Sequence, residues 1–200
     1  MMNFTKYTLV SLIVFLLCSC GGSNTAKEGL FGKVTMEGYE GKQVYLETTV
    51  GTPEKVDSSL VENGKFAFTF SDATPQVYRL VLGKTANDMY PITVPVVSEK
   101  GHIRVSMGEL VLTSGTPLND SLQDFLLAVS NLTDKAMKQE KLDINQVKAD
   151  LAKLVESAVM QNIQTPVGAY IYRMYGHQLT DDQKVLILSR ANDSFKEAVK

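Results

Sequence analysis

The sequence predicts an α+β protein whose two kinds of element are segregated. An antiparallel β-sandwich of about eight strands occupies residues 28–115, and a helical module of about four helices occupies 116–200. Three observations carry this. Short alternating or β-branched segments punctuated by Gly, Pro and Asn fill the first part. Apolar residues at helical spacing fill the second. Between them, Gly115 offers a flexible strand exit, Thr116 a helix cap, and Pro117 a preorganised first helical position.

The strands are read in order as Leu30–Met36, Gln43–Val50, Lys55–Glu62, Lys65–Phe70, Val77–Leu82, Tyr90–Val97, Gly101–Met107 and Glu109–Thr113. Gly32 interrupts the first, marking a bulge or a close approach. Asn63-Gly64 between two strand-like runs is a type I′ hairpin signal. Phe66, Phe68 and Phe70 alternate and should share a buried face. Pro91 and Pro95, four apart, would place their missing N–H groups on one side, which suits a sheet edge.

In the helical part, Leu118, Leu122, Phe125, Leu126, Val129 and Leu132 form the first apolar stripe. Asp143 with Gln146 opens a second helix as a capping-box variant, and Ile144, Val147, Leu151, Leu154, Val155 and Ala158 form its stripe. Thr165-Pro166 repeats the cap-plus-proline device for a short helix that Gly176 can end. Thr180-Asp-Asp-Gln183 opens the last, its acids placed where the helix dipole favours negative charge.

The formal net charge of −2, with Lys and Arg scattered, argues against a nucleic-acid partner. Both cysteines, Cys18 and Cys20, lie within the first 20 residues, so the remainder has no disulfide, thiolate metal site or cysteine nucleophile. Lys6 and the apolar run Tyr7–Leu17 fit a signal-peptide core and fall short of the roughly 20 apolar residues of a spanning helix. The run ends in Leu17-Cys18-Ser19-Cys20-Gly21-Gly22, which resembles the bacterial lipoprotein signal. That resemblance implies removal of residues 1–19 and lipidation of Cys20; an ordinary secretory signal is the competing reading. Acyl chains, at about 0.8 kcal/mol per buried CH₂, hold a protein on a membrane without a spanning helix. Residues 20–27 then form the lipidated cysteine and a flexible tether, and the location is the cell envelope, facing the periplasm or the surface.

A second resemblance rests on ordered motifs: Phe31-Gly32, Gly41–Leu46, Val56-Asp-Ser-Ser59, Asn63–Phe68, Gly101–Val105 and Gly115-Thr-Pro-Leu-Asn119, with Asn162 and Pro166–Tyr170 as a helical spacer. Together they resemble envelope lipoproteins of Bacteroidota. In these a small β domain of unknown function and a helical segment usually precede a thioredoxin-like thiol–disulfide oxidoreductase domain. That domain's Cys-x-x-Cys pair has no counterpart up to Lys200, so no catalytic residue is carried over. The resemblance implies an accessory portion whose redox partner lies beyond residue 200 or acts in trans.

The remaining residues offer weak chemistry. His102 and His177 are separated and lack a second ligand at metal spacing. Asp120 with Asp124, and Asp181 with Asp182, are simplest as helix-terminus charge rather than acid–base pairs. Ser58 and Ser59 have no histidine in a triad pattern, and the glycines near residues 29–41 lack a phosphate-loop ending. Asn119, Asn131 and Asn192 each begin an Asn-x-Ser/Thr pattern taken as accidental. Tyr170, Tyr172 and Tyr175 make the third helix aromatic; packing is the simpler reading, yet they are the best candidate for a binding surface. The expectation is a non-catalytic, lipid-anchored binding or scaffolding module with no cofactor and no metal. The alternative is a docking portion of an oxidoreductase system.

Overall fold

The two-residue turn at Asn63-Gly64 carries the chain from one sheet to the other. In the computed structural model, which describes residues 28–71, 74–83 and 89–200, Asn63 and Gly64 have φ of 52° and 67°. Both lie in the left-handed region that a type I′ turn requires. The Glu40 carboxylate accepts their N–H groups at 2.7 and 3.0 Å, a charge-assisted clamp on the turn.

Eight strands are present among the described residues: β1 (Gly29–Val34), β2 (Gln43–Thr48), β3 (Lys55–Leu60), β4 (Lys65–Phe68), β5 (Val77–Leu82), β6 (Ile92–Val97), β7 (His102–Met107) and β8 (Val111–Ser114). They form a front sheet in the order β4-β1-β7-β8 and a back sheet in the order β3-β2-β5-β6. Leu30, Ile103 and Met107 from the front meet Val44, Leu46, Leu80 and Leu82 from the back. The expected sandwich is therefore present, with one departure from antiparallel pairing. β1 and β7 run parallel, in register from Gly29↔His102 to Val34↔Met107. These strands are far apart in sequence, so no hairpin dictates their relative direction.

Gly32 is a close approach and not a bulge. Pairing continues unbroken through Gly32↔Phe66, and a Cβ at Gly32 would run into the Phe66 ring. The register shift falls in β2, between Leu46 and Glu47. Phe66 and Phe68 are buried edge to face, 6.1 Å between centroids, while Phe70 is partly buried and stacks on Tyr78 at 6.2 Å. Pro95 lies in β6, an edge strand as expected.

Five helices follow: α1 (Pro117–Met137), α2 (Ile144–Gln161), α3 (Pro166–Tyr175), α4 (Asp181–Arg190) and α5 (Asp193–Ala198). The additional one arises because Ala191 turns extended and the Asn192 side chain caps a new helix at the Phe195 N–H, 2.7 Å away. Capping differs from expectation at two prolines. Thr116 and Thr165 occupy N-cap positions, but neither hydroxyl accepts a backbone N–H of its helix; Thr116 accepts instead from the Asn119 carboxamide at 2.9 Å. For α1 that role passes to Glu99, whose carboxylate accepts from Leu118 and Asn119 N–H at 2.8 and 3.1 Å. Asp143 does cap α2, although Gln146 turns to Asp150 instead of closing the box. Thr180 and Gln183 form the complete capping box. Gly176 leads from α3 into a 3₁₀ turn, Gly176–Gln178, with φ −62°.

Helix α1 closes the open side of the sandwich, between edge strands β6 and β8. The Asn119 carboxamide donates to the Val97 carbonyl and accepts from the Val97 N–H, both at 2.9 Å. Gln123 accepts from Thr113 N–H at 2.7 Å, and Asp120 from Gly115 N–H at 2.8 Å. Edge strands that would otherwise show free backbone groups are thus covered. Val77 and Val97, paired across β5 and β6, belong to the second core with Leu122, Val155, Val159, Ile171 and Ile187. The change of element falls at residues 114–117, yet hydrogen bonds and apolar contacts tie the helices to the sheets.

Candidate functional site

Alternation along the front sheet decides which side chains point away from the core. On β1, Leu30 and Val34 are buried while Phe31 and Lys33 face outward; on β7, Ile103, Val105 and Met107 are buried while His102, Arg104 and Ser106 face outward. The register then assembles two rows. Ala67, Phe31, Arg104 and Ser114 lie side by side across β4, β1, β7 and β8. Lys65, Lys33, Ser106 and Leu112 form the adjacent row. His102, one step along β7, stacks on Phe31 with centroids 4.4 Å apart and planes 14° apart.

A shallow groove of about 490 Å³ runs over this face, lined by Phe31, Lys33, Lys65, His102, Arg104 and Leu112 among others. Its charged lining is cationic. Among the described residues no carboxylate lies within ion-pair distance of Lys33, Lys65 or Arg104; the ion pairs are Arg79–Glu47, Lys184–Asp181 and Lys200–Glu197. Glu62 lies opposite Lys65 across the turn and exchanges two backbone hydrogen bonds with it, at 2.9 and 3.0 Å, but their side chains form no ion pair. Lys33 and Lys65 are directly opposed across β1 and β4, an arrangement that costs stability unless something neutralises it. Such a face can hold an anion against an aromatic and aliphatic wall.

Sequence reasoning named His102 without recognising this cluster. Outward parity of Lys33, Lys65 and Arg104 was readable from alternation, but the pairing of β1 with both β4 and β7 was not.

The tyrosines of α3 are engaged in packing. Tyr170 is buried, Tyr172 meets Phe195 edge to face at 5.7 Å, and Tyr175 meets Phe125 likewise at 4.9 Å. Burial, with Tyr175 nearby, pushes the Tyr170 phenol up to about 12, and burial also raises Tyr172 and Tyr175. Arg173 is lowered by burial and donates to the Ala198 carbonyl at 2.9 Å.

The other candidates are dispersed. His177 is exposed and hydrogen-bonds Gln178 at 2.7 Å. Asp120 is held by the Gly115 N–H, Asp124 is exposed, and Asp181 and Asp182 occupy the first turn of α4. Ser58 and Ser59 lie on β3, where Ser59 accepts the Ala67 N–H. No cluster of three or more His, Cys, Asp or Glu suited to a metal occurs among the described residues. Nor is any described helix long and apolar enough to cross a membrane. Leu17, Cys18, Ser19 and Cys20 lie outside the described residues.

A family model described as a domain of unknown function (DUF4369) matches residues 30–122. The matched segment covers the sandwich from the second residue of β1 and continues into α1 as far as Leu122, so it includes the Asn119 contact with β6. No curated protein matches the chain.

Proposed function

We propose that this protein is a non-catalytic binding or scaffolding module of the bacterial cell envelope. Acyl chains on Cys20 hold it at a membrane, and the outer face of the front sheet engages its partner. The observation that supports this most is that face. One side of the sheet builds the core, while the other presents Lys33, Lys65 and Arg104 with no carboxylate at ion-pair distance among the described residues. Cations opposed at a cost to stability are expected where recognition, rather than folding, sets the residue. The tether, ending at residue 27, would keep β1 within about 30 Å of the anchored cysteine even when fully extended.

Two measurements test the proposal. Metabolic labelling with a palmitate analogue should mark wild-type protein and be lost in Cys20→Ala; equal labelling of both removes the anchor. A photo-cross-linking residue at Ser106, on the groove, should give discrete envelope adducts that disappear when Lys33 and Lys65 are both changed to Glu. The same residue at Ser189, exposed on α4, should give none. Identical adduct patterns from both sites would remove the front sheet as the binding surface.

A second reading is an accessory role beside a thiol–disulfide oxidoreductase. It is favoured by the ordered motifs from Phe31-Gly32 to Asn119, which fall within the segment matched by the family model. It predicts that the purified protein alters the insulin-reduction rate of an envelope thioredoxin-like enzyme. Unchanged rates at saturating protein would set it aside.

A further inference from the structure

We infer that the groove on the front sheet is a site for a small phosphomonoester carrying a planar or apolar group. This rests on the binding-module reading above and adds the chemistry of the ligand.

Lys33 and Lys65 are opposed on neighbouring strands, and Arg104 lies on the next strand, beside Phe31. Directly opposed residues on an antiparallel pair have Cβ atoms about 5 Å apart, so two ammonium groups can converge on one acceptor group. A phosphomonoester carries about −1.5 to −2 charges and three acceptor oxygens, whereas a single carboxylate would leave most of the cationic excess standing. The Arg104 guanidinium lies against Gly115, toward the His102 end of the groove, where it adds positive potential beside the aromatic wall and does not join the lysine pair directly.

An apolar wall flanks the cations. The stacked Phe31 and His102 rings lie next to Arg104 on one side, and Leu112 lies in the row of the lysines on the other. A groove of about 490 Å³ falls in the size range of small-molecule sites. Ser106 and Ser114, also on this face, supply neutral hydroxyls for orientation.

Phenyl phosphate is the probe. The full chain in a non-ionic detergent is titrated by calorimetry at low and high salt, with inorganic phosphate, benzoate and phenol in parallel. The expected result is saturable binding of phenyl phosphate, weaker binding of phosphate and benzoate, no binding of phenol, and loss of affinity as salt rises. Lys33→Ser and Lys65→Ser should each weaken binding about tenfold or more and Arg104→Ser by a smaller factor, with thermal melts confirming that each variant is folded. Phosphatidylglycerol doped into the micelles should not displace the probe. Displacement would identify a headgroup surface and overturn the assignment to a soluble ligand. Absence of saturable binding, or binding indifferent to all three substitutions, would overturn the site itself. If Ser106 still cross-links in a Lys33- and Lys65-dependent way while phenyl phosphate does not bind, the ligand class fails and the module reading stands.

Discussion

The side chain of Asn119 hydrogen-bonds both backbone groups of Val97, standing in for the strand that β6 lacks on its outer edge. Asn119 and Val97 are fully buried, so water cannot replace what a substitution removes. Asn119→Ala should destabilise the fold by about 2–4 kcal/mol, and its melting temperature should fall by roughly 5–15 °C for a chain of this size. Asn119→Asp should be harmful as well, because an ionised carboxylate cannot donate to the Val97 carbonyl. Urea unfolding of the three proteins measures this; near-wild-type midpoints would show that the sandwich edge closes without the carboxamide.

Gly32 and Phe66 make a second test. The aromatic ring occupies the space a Cβ would need, so Gly32→Ala should cost about 1–3 kcal/mol through overpacking. Phe66→Leu removes the obstructing ring and loses buried area of its own. The double variant should be less damaged than the sum of the singles, by at least about 0.5 kcal/mol. Simple additivity would mean that the ring moves aside without resistance.

Local chemistry explains which features were legible. Alternating Phe66 and Phe68, the Asn63-Gly64 turn and the Thr180–Gln183 capping box each act within a few residues, and each is where the sequence places it. What escaped depends on distant partners. Glu99 displaces Thr116 as the cap of α1 from 19 residues upstream of Leu118. The exception is Asn192, a local cap on the Phe195 N–H that divides the last helical run. The parallel β1–β7 pairing brings Arg104 beside Phe31, although 72 residues lie between them in the chain. The cationic groove inherits that difficulty, since strand parity placed its lysines outward but only the register makes them neighbours.

Lys33→Glu should separate stability from recognition, whereas Lys65→Glu would set a carboxylate directly opposite Glu62. Lys33→Glu places opposite charges across β1 and β4, and a favourable cross-strand pair contributes roughly 0.2–1 kcal/mol. The variant should be slightly more stable than wild type at low salt, with the gain shrinking at high salt because both side chains are exposed. Phenyl phosphate binding should be lost in the same protein. A variant no more stable than wild type at low salt would show that Lys33 and Lys65 do not feel one another.

Alkaline stability should report on Tyr170. Burial, reinforced by Tyr175 and opposed by Arg173 and Arg79, moves its phenol from the ordinary value near 10 to about 12. A phenol is neutral when protonated, so the folded protein holds this proton over a range in which the unfolded chain releases it. The contribution is fully present below about pH 10 and is lost as pH rises through about 12. Tyr170→Phe keeps the ring and removes the titrating group, so its stability should fall less steeply across that interval. Tyr172 and Tyr175, also raised by burial, retain part of the slope. The difference between wild-type and variant urea midpoints, followed from pH 8 to 12, isolates Tyr170 from the lysines that titrate in the same range. A difference that stays constant with pH would place the Tyr170 hydroxyl in water instead of the buried position it holds on α3.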